Sequence, residues 1–204
     1  MNLSLLVTIG IIHIIALASP GPDIALMLRF SARRRAALGI ATGILVHSIL
    51  SLTGISLLIQ AHPLLFTLLR LAGAIYLGWL GVGALRTAFG PATELKAAGN
   101  GAPDNGFWTG LHTNLLNPKA LVFFVGLLAA MVGPEVNWLT RTALVVELFV
   151  LSLAWFMLLA WGLSSSRAQL RLQAWSRPVN GLCGLLFCSV AGSILWLLVS
   201  SAPV

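Results

Sequence analysis

The sequence has few charged residues: only 8% are Asp, Glu, Lys or Arg, whereas 58% are hydrophobic. Soluble domains carry about 25% charged residues, because their surfaces face water. In the 204 residues, no polar stretch is long enough for a separate soluble domain, and the longest, residues 90–105, is typical of a loop. The composition therefore predicts an integral membrane protein with a single transmembrane domain over residues 1–204.

Cysteine is also scarce, since Cys183 and Cys188 are the only two. A membrane carrier of thiol–disulfide electrons needs a reactive cysteine in each half of the chain, but these two lie five residues apart in the last apolar run. Their spacing is not C-x-x-C and does not share a helical face well. We therefore interpret both as small apolar packing residues, which argues against a redox carrier.

Three further patterns are missing from the sequence. No nucleophile lies beside a base, so we expect no enzyme activity. No G-x-x-x-x-G-K-[ST] loop is present, so the chain does not hydrolyse ATP. The four histidines have no metal-ligand spacing, so neither a metal nor another cofactor is predicted.

Long apolar runs dominate what remains. A bilayer core of about 30 Å is crossed by about 20 apolar residues in a helix, and the sequence contains six runs of that kind. They are residues 4–28, 37–60, 64–86, 107–132, 140–163 and 179–201. The fold class predicted is all-α, with six transmembrane helices and polar connections between them.

The basic residues indicate the orientation of these spans. Nine of the twelve follow the first, third and fifth spans, whereas Arg141 alone lies in an opposite connection. By the positive-inside rule, both termini are extracytoplasmic. The net charge of +7 then reflects topology and contact with anionic lipid headgroups, and needs no nucleic acid. The nine are Arg29, Arg33, Arg34, Arg35, Arg86, Lys96, Arg167, Arg171 and Arg177.

Helix-breaking residues interrupt the first and the fourth spans. SPGPD, which contains Pro20, Gly21 and Pro22, breaks the first, and Asn117-Pro118-Lys119 breaks the fourth. Two sets of three spans, about 1–90 and 106–204, have opposite orientations and so form inverted repeats. Paired breaks at corresponding positions of such repeats mark the central site of a transporter. The alternative is that these prolines only kink two packed helices.

Four segments carry a resemblance to a known family: SPGPD, ALGIATGILVH, LLRLAGAIYLGWLG and GLHTNLLNPKALVFF. In this order and spacing, they resemble the LysE/RhtB family of amino-acid exporters, and the resemblance extends over nearly the whole chain. It implies secondary active export of amino acids or their derivatives across a bacterial inner membrane. The implied partners are a small amino-acid substrate and membrane lipid, and the sequence leaves open whether the chain forms a homo-oligomer.

An amino acid is a zwitterion, so its site must offer groups of both signs. A cation and helix N-termini suit the carboxylate, whereas an anion and free carbonyls suit the ammonium. The two breaks supply both kinds of group, and Asn114 and Asn117 add amides. The predicted substrate-binding residues are Pro20, Gly21, Pro22, Asp23, Asn114, Asn117, Pro118 and Lys119.

Charged side chains inside membrane spans need a partner, water or a proton. Asp23 is the first candidate for a proton-coupling carboxyl group and Glu147 the second, because a desolvated carboxyl can bind and release a proton. Arg70 is predicted to pair a charge or to reach an interface. His47 lies on a face of small residues, where we favour a hydrogen bond across helices over proton relay. The alternative function is export of a divalent metal or another small ion.

Overall fold

The computed structural model describes residues 1–29, 33–90, 106–163 and 166–200. These residues form eight α-helices and no strand. The helices are α1 (Leu3–Ala18), α2 (Pro22–Arg29), α3 (Arg33–Ala61), α4 (Pro63–Phe89), α5 (Gly106–Leu115), α6 (Pro118–Met131), α7 (Trp138–Gly162) and α8 (Ser166–Ser200).

The helices form the six predicted spans. Helices α3, α4, α7 and α8 each contain a stretch long and apolar enough to cross a membrane. The α1–α2 pair bends by 54° and the α5–α6 pair by 57°, and each pair passes the same test as one broken span. The prediction that the first span of each half is broken is therefore confirmed, and the protein is an all-α, multi-pass membrane protein.

The packing of the spans has the symmetry expected of two repeats. Helix α3 packs against α5 and α6, just as α7 packs against α1 and α2 in the exchanged halves. At the level of whole spans, α4 contacts the fourth span through α6 and α8 contacts the first span through α1, and the pairs α4–α8 and α3–α7 join equivalent spans. Because each half has three spans, equivalent helices run in opposite directions across the membrane.

One predicted connection is wrong. Residues 164–178 were expected to form a loop because they are polar, but α8 begins at Ser166 and continues through Pro178. Arg, Ala, Gln and Leu between these two positions are good helix formers, and polarity alone does not distinguish a loop from a helix that extends beyond the apolar core. The predicted loop at 90–105 lies outside the described residues after Gly90.

Close packing of α3 against α5 positions the fourth span, which is one of the two broken spans. At Gly39, an added Cβ would overlap the backbone carbonyl of Phe107, and at Gly110 it would overlap the carbonyl of Ala36. Helices approach this closely only where a residue has no side chain. The result is that the N-terminal half of α5 is held against the N-terminal part of α3.

Candidate functional site

The breaks leave helix ends in the interior of the protein. Helix α1 ends at Ala18, and Ser19 is extended, with φ −68° and ψ 126°. Helix α2 restarts at Pro22, and α6 restarts at Pro118, where a missing N–H costs no helical hydrogen bond. Asn117 caps α6, because its side-chain Oδ1 accepts from the backbone N–H of Lys119 at 3.0 Å.

A carboxyl group on one break is bound by amides on the other. Asn114 Nδ2 donates to Asp23 Oδ2 at 2.9 Å, and Asn117 Nδ2 donates to the same oxygen at 3.3 Å. Asn114 is completely buried. The second oxygen of the carboxyl group, Asp23 Oδ1, is buried and has no hydrogen-bond partner among the described residues. It is therefore an acceptor available to a ligand.

A cation crosses between the breaks in the other direction. Lys119 Nζ donates to Ser19 Oγ at 2.6 Å and to the carbonyl oxygen of Pro20 at 3.5 Å. Lys119 is also the second residue of α6, where backbone N–H groups and the helix dipole favour an anion. An ammonium group has three donors, so one remains after these two contacts.

These groups line one cavity between the two halves of the chain. Asp23, Asn114, Asn117, Lys119 and Gly21 form its polar end. The water-accessible volume is about 60 Å³, room for about four water molecules. The remaining wall is mainly apolar and includes Ala16, Leu17, Ile24, Ile44, Ala120, Phe123, Phe124 and Phe156.

Helix α3 supports the end of α5 that carries Asn114. His47 Nε2 lies 3.2 Å from the carbonyl oxygen of Asn114, and since a carbonyl only accepts, this nitrogen donates. The His47 ring also stacks on Phe124, with centroids 6.0 Å apart. The cross-helix hydrogen bond favoured for His47 is thus present. Gly43 lies one turn earlier, directly against the Asn114 side chain.

A layer of aromatic rings closes the cavity away from the breaks. The His13 ring lies 5.6 Å from Phe124 and 6.2 Å from Phe123 between centroids. His13 Nε2 lies 2.7 Å from Ser152 Oγ, and that hydroxyl donates to the carbonyl of Leu148. Because its proton is used there, Ser152 accepts from His13. His13 Nδ1 is then a buried acceptor without a partner among the described residues.

Several predicted residues lie outside this cluster. Glu147 lies against Gly10 of α1, and Arg70 donates to the carbonyl of Ala130 at 3.4 Å and lies 5.8 Å from the centre of the Phe66 ring. Neither residue lines the cavity. Pro22 and Pro118 begin helices at its edge and are exposed, and Pro20 contributes its carbonyl oxygen.

Sequence reasoning missed two polar residues of the site and its aromatic layer. Ser19 belongs to SPGPD, so its position beside a break was the available signal. His13 had none, because its partner Ser152 lies 139 residues further along the chain. The roles of Phe123, Phe124 and Phe156 likewise depend on which helix faces meet.

Among the described residues, no group of three or more His, Cys, Asp and Glu side chains could hold a metal ion. His13 and His47 instead make hydrogen bonds to Ser152 and Asn114.

Six apolar spans, two of them broken where they share a charged cavity, define the class as a multi-pass membrane transport protein. The family model of the LysE type translocator matches residues 14–197. The chain therefore belongs to the LysE type translocator family, whose members are transport proteins and not enzymes.

Named relatives match nearly the whole chain. It is 32% identical to the threonine efflux protein of Escherichia coli K12 over 97% of this chain and 99% of that one. It is 31% identical to the threonine efflux protein of Salmonella typhi, with the same coverage. It is 28% identical to the leucine efflux protein of Enterobacter sp. strain 638 over 86% of this chain and 87% of that one. No solved structure matches the chain.

Proposed function

We propose that this protein is a secondary exporter of small neutral amino acids across the inner membrane of a bacterium, driven by the proton gradient. The observation that carries this proposal is a pair of opposite charges on the two breaks, facing one cavity. Lys119 supplies the cation and Asp23 the carboxyl group. The relatives named for threonine and leucine efflux support the same class of substrate.

The polar end of the cavity suits the two charged ends of an amino acid. The substrate carboxylate binds the remaining donor of Lys119, at the N-terminal end of α6. The substrate ammonium binds Asp23 Oδ1, which has no partner among the described residues, and the carbonyl of Pro20 is nearby. The cation thus faces the carboxylate of the substrate and the anion faces its ammonium, as binding of a zwitterion requires.

The walls of the cavity favour a neutral substrate side chain. Ile24, Ile44 and Phe156 offer apolar surface, and Asp23 is the only acidic residue among the described lining. A basic amino acid would need a second carboxylate for its side-chain cation, since an unpaired buried charge is costly. Basic amino acids should therefore be poor substrates.

Transport requires the two breaks to separate. An amino acid is larger than a cavity of about 60 Å³, and the contacts of Lys119 with Ser19 and with the carbonyl of Pro20 now join the breaks directly. The carboxylate of a bound zwitterion replaces these contacts, while Asn114 keeps its hydrogen bond to Asp23 Oδ2 and so positions the carboxyl group for the substrate ammonium. The substrate thus compensates for opening the site, and the two halves can rock around it.

Proton coupling is assigned to Asp23 rather than to Glu147. Asp23 lines the cavity, where protonation would weaken the binding of the substrate ammonium, whereas Glu147 lies against Gly10 away from the lining. A proton taken up from outside would release the amino acid, and loss of that proton to the cytoplasm would restore the site.

Purified protein in proteoliposomes tests the proposal with labelled threonine and leucine. Asp23→Asn should abolish accumulation driven by an imposed pH gradient, while leaving some exchange of substrate for substrate. Glu147→Gln is the matched control and should still concentrate substrate. If Asp23→Asn also concentrates substrate, Asp23 is not the proton carrier, and if the unaltered protein moves neither amino acid, the proposed substrate class is wrong.

A further inference from the structure

A second cavity lies directly beside the central one. Its volume is about 390 Å³, and it is formed between α4 and α8. Its polar lining includes Thr87, Ser176 and Asn180. Ser19 and Lys119 line both cavities, so the hydrogen bond of 2.6 Å between them is part of the wall that separates the two.

The position of the second cavity along the helices gives its side of the membrane. It is lined by residues 79–87 near the C-terminal end of α4 and residues 176–187 in the N-terminal half of the apolar stretch of α8, Ala174–Ser200. Because the spans alternate in direction, these ends lie on the same membrane face as the N-terminal end of α3. That end carries Arg33, Arg34 and Arg35, so by the positive-inside rule this face is cytoplasmic.

The two walls of the central cavity are built from different contacts. Towards the second cavity, Ser19 and Lys119 meet through one hydrogen bond. Towards the opposite face, His13 lies six residues before Ser19, and Phe124 lies five residues after Lys119. At 1.5 Å per residue, the cavity extends about 8–9 Å along the helices before it reaches that layer of packed rings. The wall closed by the Ser19–Lys119 hydrogen bond is therefore the one that opens with the smaller change.

We propose that the second cavity is the vestibule through which substrate reaches the central site from the cytoplasm, with the Ser19–Lys119 contact as its gate. This proposal rests on the proposed export function and on the orientation given above. Lys119 is the single charged group in the described lining, whose other polar groups include the hydroxyls of Thr87 and Ser176 and the amide of Asn180. The vestibule therefore receives the substrate carboxylate first, and binding of that carboxylate draws Lys119 from Ser19.

Cysteine labelling tests the vestibule. At Gly83, which lines it, no atom lies within 4 Å of an added Cβ, so Gly83→Cys should fold normally. The neighbouring Val82 is exposed on the apolar surface and does not line the cavity, so Val82→Cys is the matched control. The native chain, with Cys183 buried and Cys188 partly buried, gives the background.

A membrane-impermeant maleimide is applied to inside-out and right-side-out vesicles. Because a thiol reacts as the hydrated thiolate, Gly83→Cys should react at least about tenfold faster than Val82→Cys, and only in inside-out vesicles. Ser4→Cys checks orientation, because Ser4 lines a cavity at the opposite face with Thr140 and should react only in right-side-out vesicles. Threonine in excess should slow the reaction of Gly83→Cys.

A separate labelling measurement tests whether the Ser19–Lys119 contact acts as a gate. Ala120 lines the central cavity but not the vestibule, so Ala120→Cys reports whether reagent passes the Ser19–Lys119 contact. Adding Ser19→Ala removes the nearer of the two acceptors of Lys119 and leaves only the Pro20 carbonyl at 3.5 Å, so it should speed labelling of Ala120→Cys several-fold from the cytoplasmic side. Ser19→Thr keeps a hydroxyl and should leave that rate nearly unchanged.

Three results would overturn the proposal. They are failure of Gly83→Cys to react from either side, reaction only from the extracytoplasmic side, and equal labelling of Ala120→Cys with and without Ser19→Ala. Labelling does not depend on which molecule is carried. If the labelling pattern is as expected but no amino acid is transported, the proposed export function fails and the water-filled vestibule and its gate stand.

Discussion

Replacement of Gly43 by Ala is a sharp test of the central site. The added Cβ would lie 2.6 Å from Asn114 Oδ1, 2.9 Å from Asn114 Cβ and 3.1 Å from Asn114 Cγ. Asn114 cannot retreat by a simple rotation, because its Cβ moves only with the backbone of α5. The amide should therefore be displaced from Asp23, to which it donates at 2.9 Å.

The size of the effect follows from what is lost. Overpacking a well-filled interior costs about 1–3 kcal/mol of stability. A hydrogen bond to a carboxylate contributes about 1.5–3 kcal/mol. At about 1.4 kcal/mol for each factor of ten, the affinity for the transported amino acid should fall by roughly tenfold to a hundredfold.

Substrate binding and thermal unfolding of the purified protein in detergent measure the two effects separately. Gly54→Ala is the matched control, because Gly54 lies on the same face of α3 and nothing is within 4 Å of its added Cβ. It should change neither quantity. Asn114→Ala should weaken binding to a similar degree, and adding Gly43→Ala to it should weaken binding little further, because both changes remove the same contact.

Normal substrate affinity in Gly43→Ala, with Gly54→Ala also normal, would refute the reasoning that the amide of Asn114 positions Asp23. A full additional loss of affinity in the Gly43→Ala, Asn114→Ala double variant would show that Gly43 acts through another contact.

Three more predictions concern topology, the breaks and substrate size. Periplasm-active reporter fusions after Val204 should be active and those after Arg35 silent, and the reverse pattern would contradict the proposed orientation. Replacing Pro22 or Pro118 by Ala should let α1 and α2, or α5 and α6, join more regularly and abolish transport with expression intact, whereas normal transport in both variants would reduce the breaks to kinks. Phe156→Leu should enlarge the cavity at its apolar wall and so raise leucine transport relative to threonine in competition assays. An unchanged ratio would mean that Phe156 does not limit substrate size.

Local chemistry made the breaks predictable. Proline lacks the N–H that continues a helix and glycine tolerates unwinding, so SPGPD and Asn117-Pro118 indicated two interruptions without knowledge of the fold. The bends of 54° and 57° lie at these positions. The start of α8 was not predictable in the same way, because residues 166–178 are polar and helix-forming at once.

The members of the site were predictable only in part. Asp23, Asn114, Asn117 and Lys119 were candidates because they lie beside the breaks, and they line one cavity. The sequence ranked Asp23 above Glu147 because Asp23 lies beside a break, but it could not show which of the two acids lines a cavity. The difference is one of position, because Glu147 lies against Gly10 rather than in that cavity.

The sequence by itself determined the six spans, their two breaks and the one-sided distribution of basic charge. Each of these depends on local properties: apolar length against the thickness of a bilayer, backbone chemistry and the charge of connections. The tertiary structure alone decided that Ser19 contacts Lys119, which lies 100 residues further along the chain, and that His13 contacts Ser152, which lies 139 residues further along. Such pairs depend on how two inverted halves pack, and no local pattern in a single sequence records which helix faces will meet.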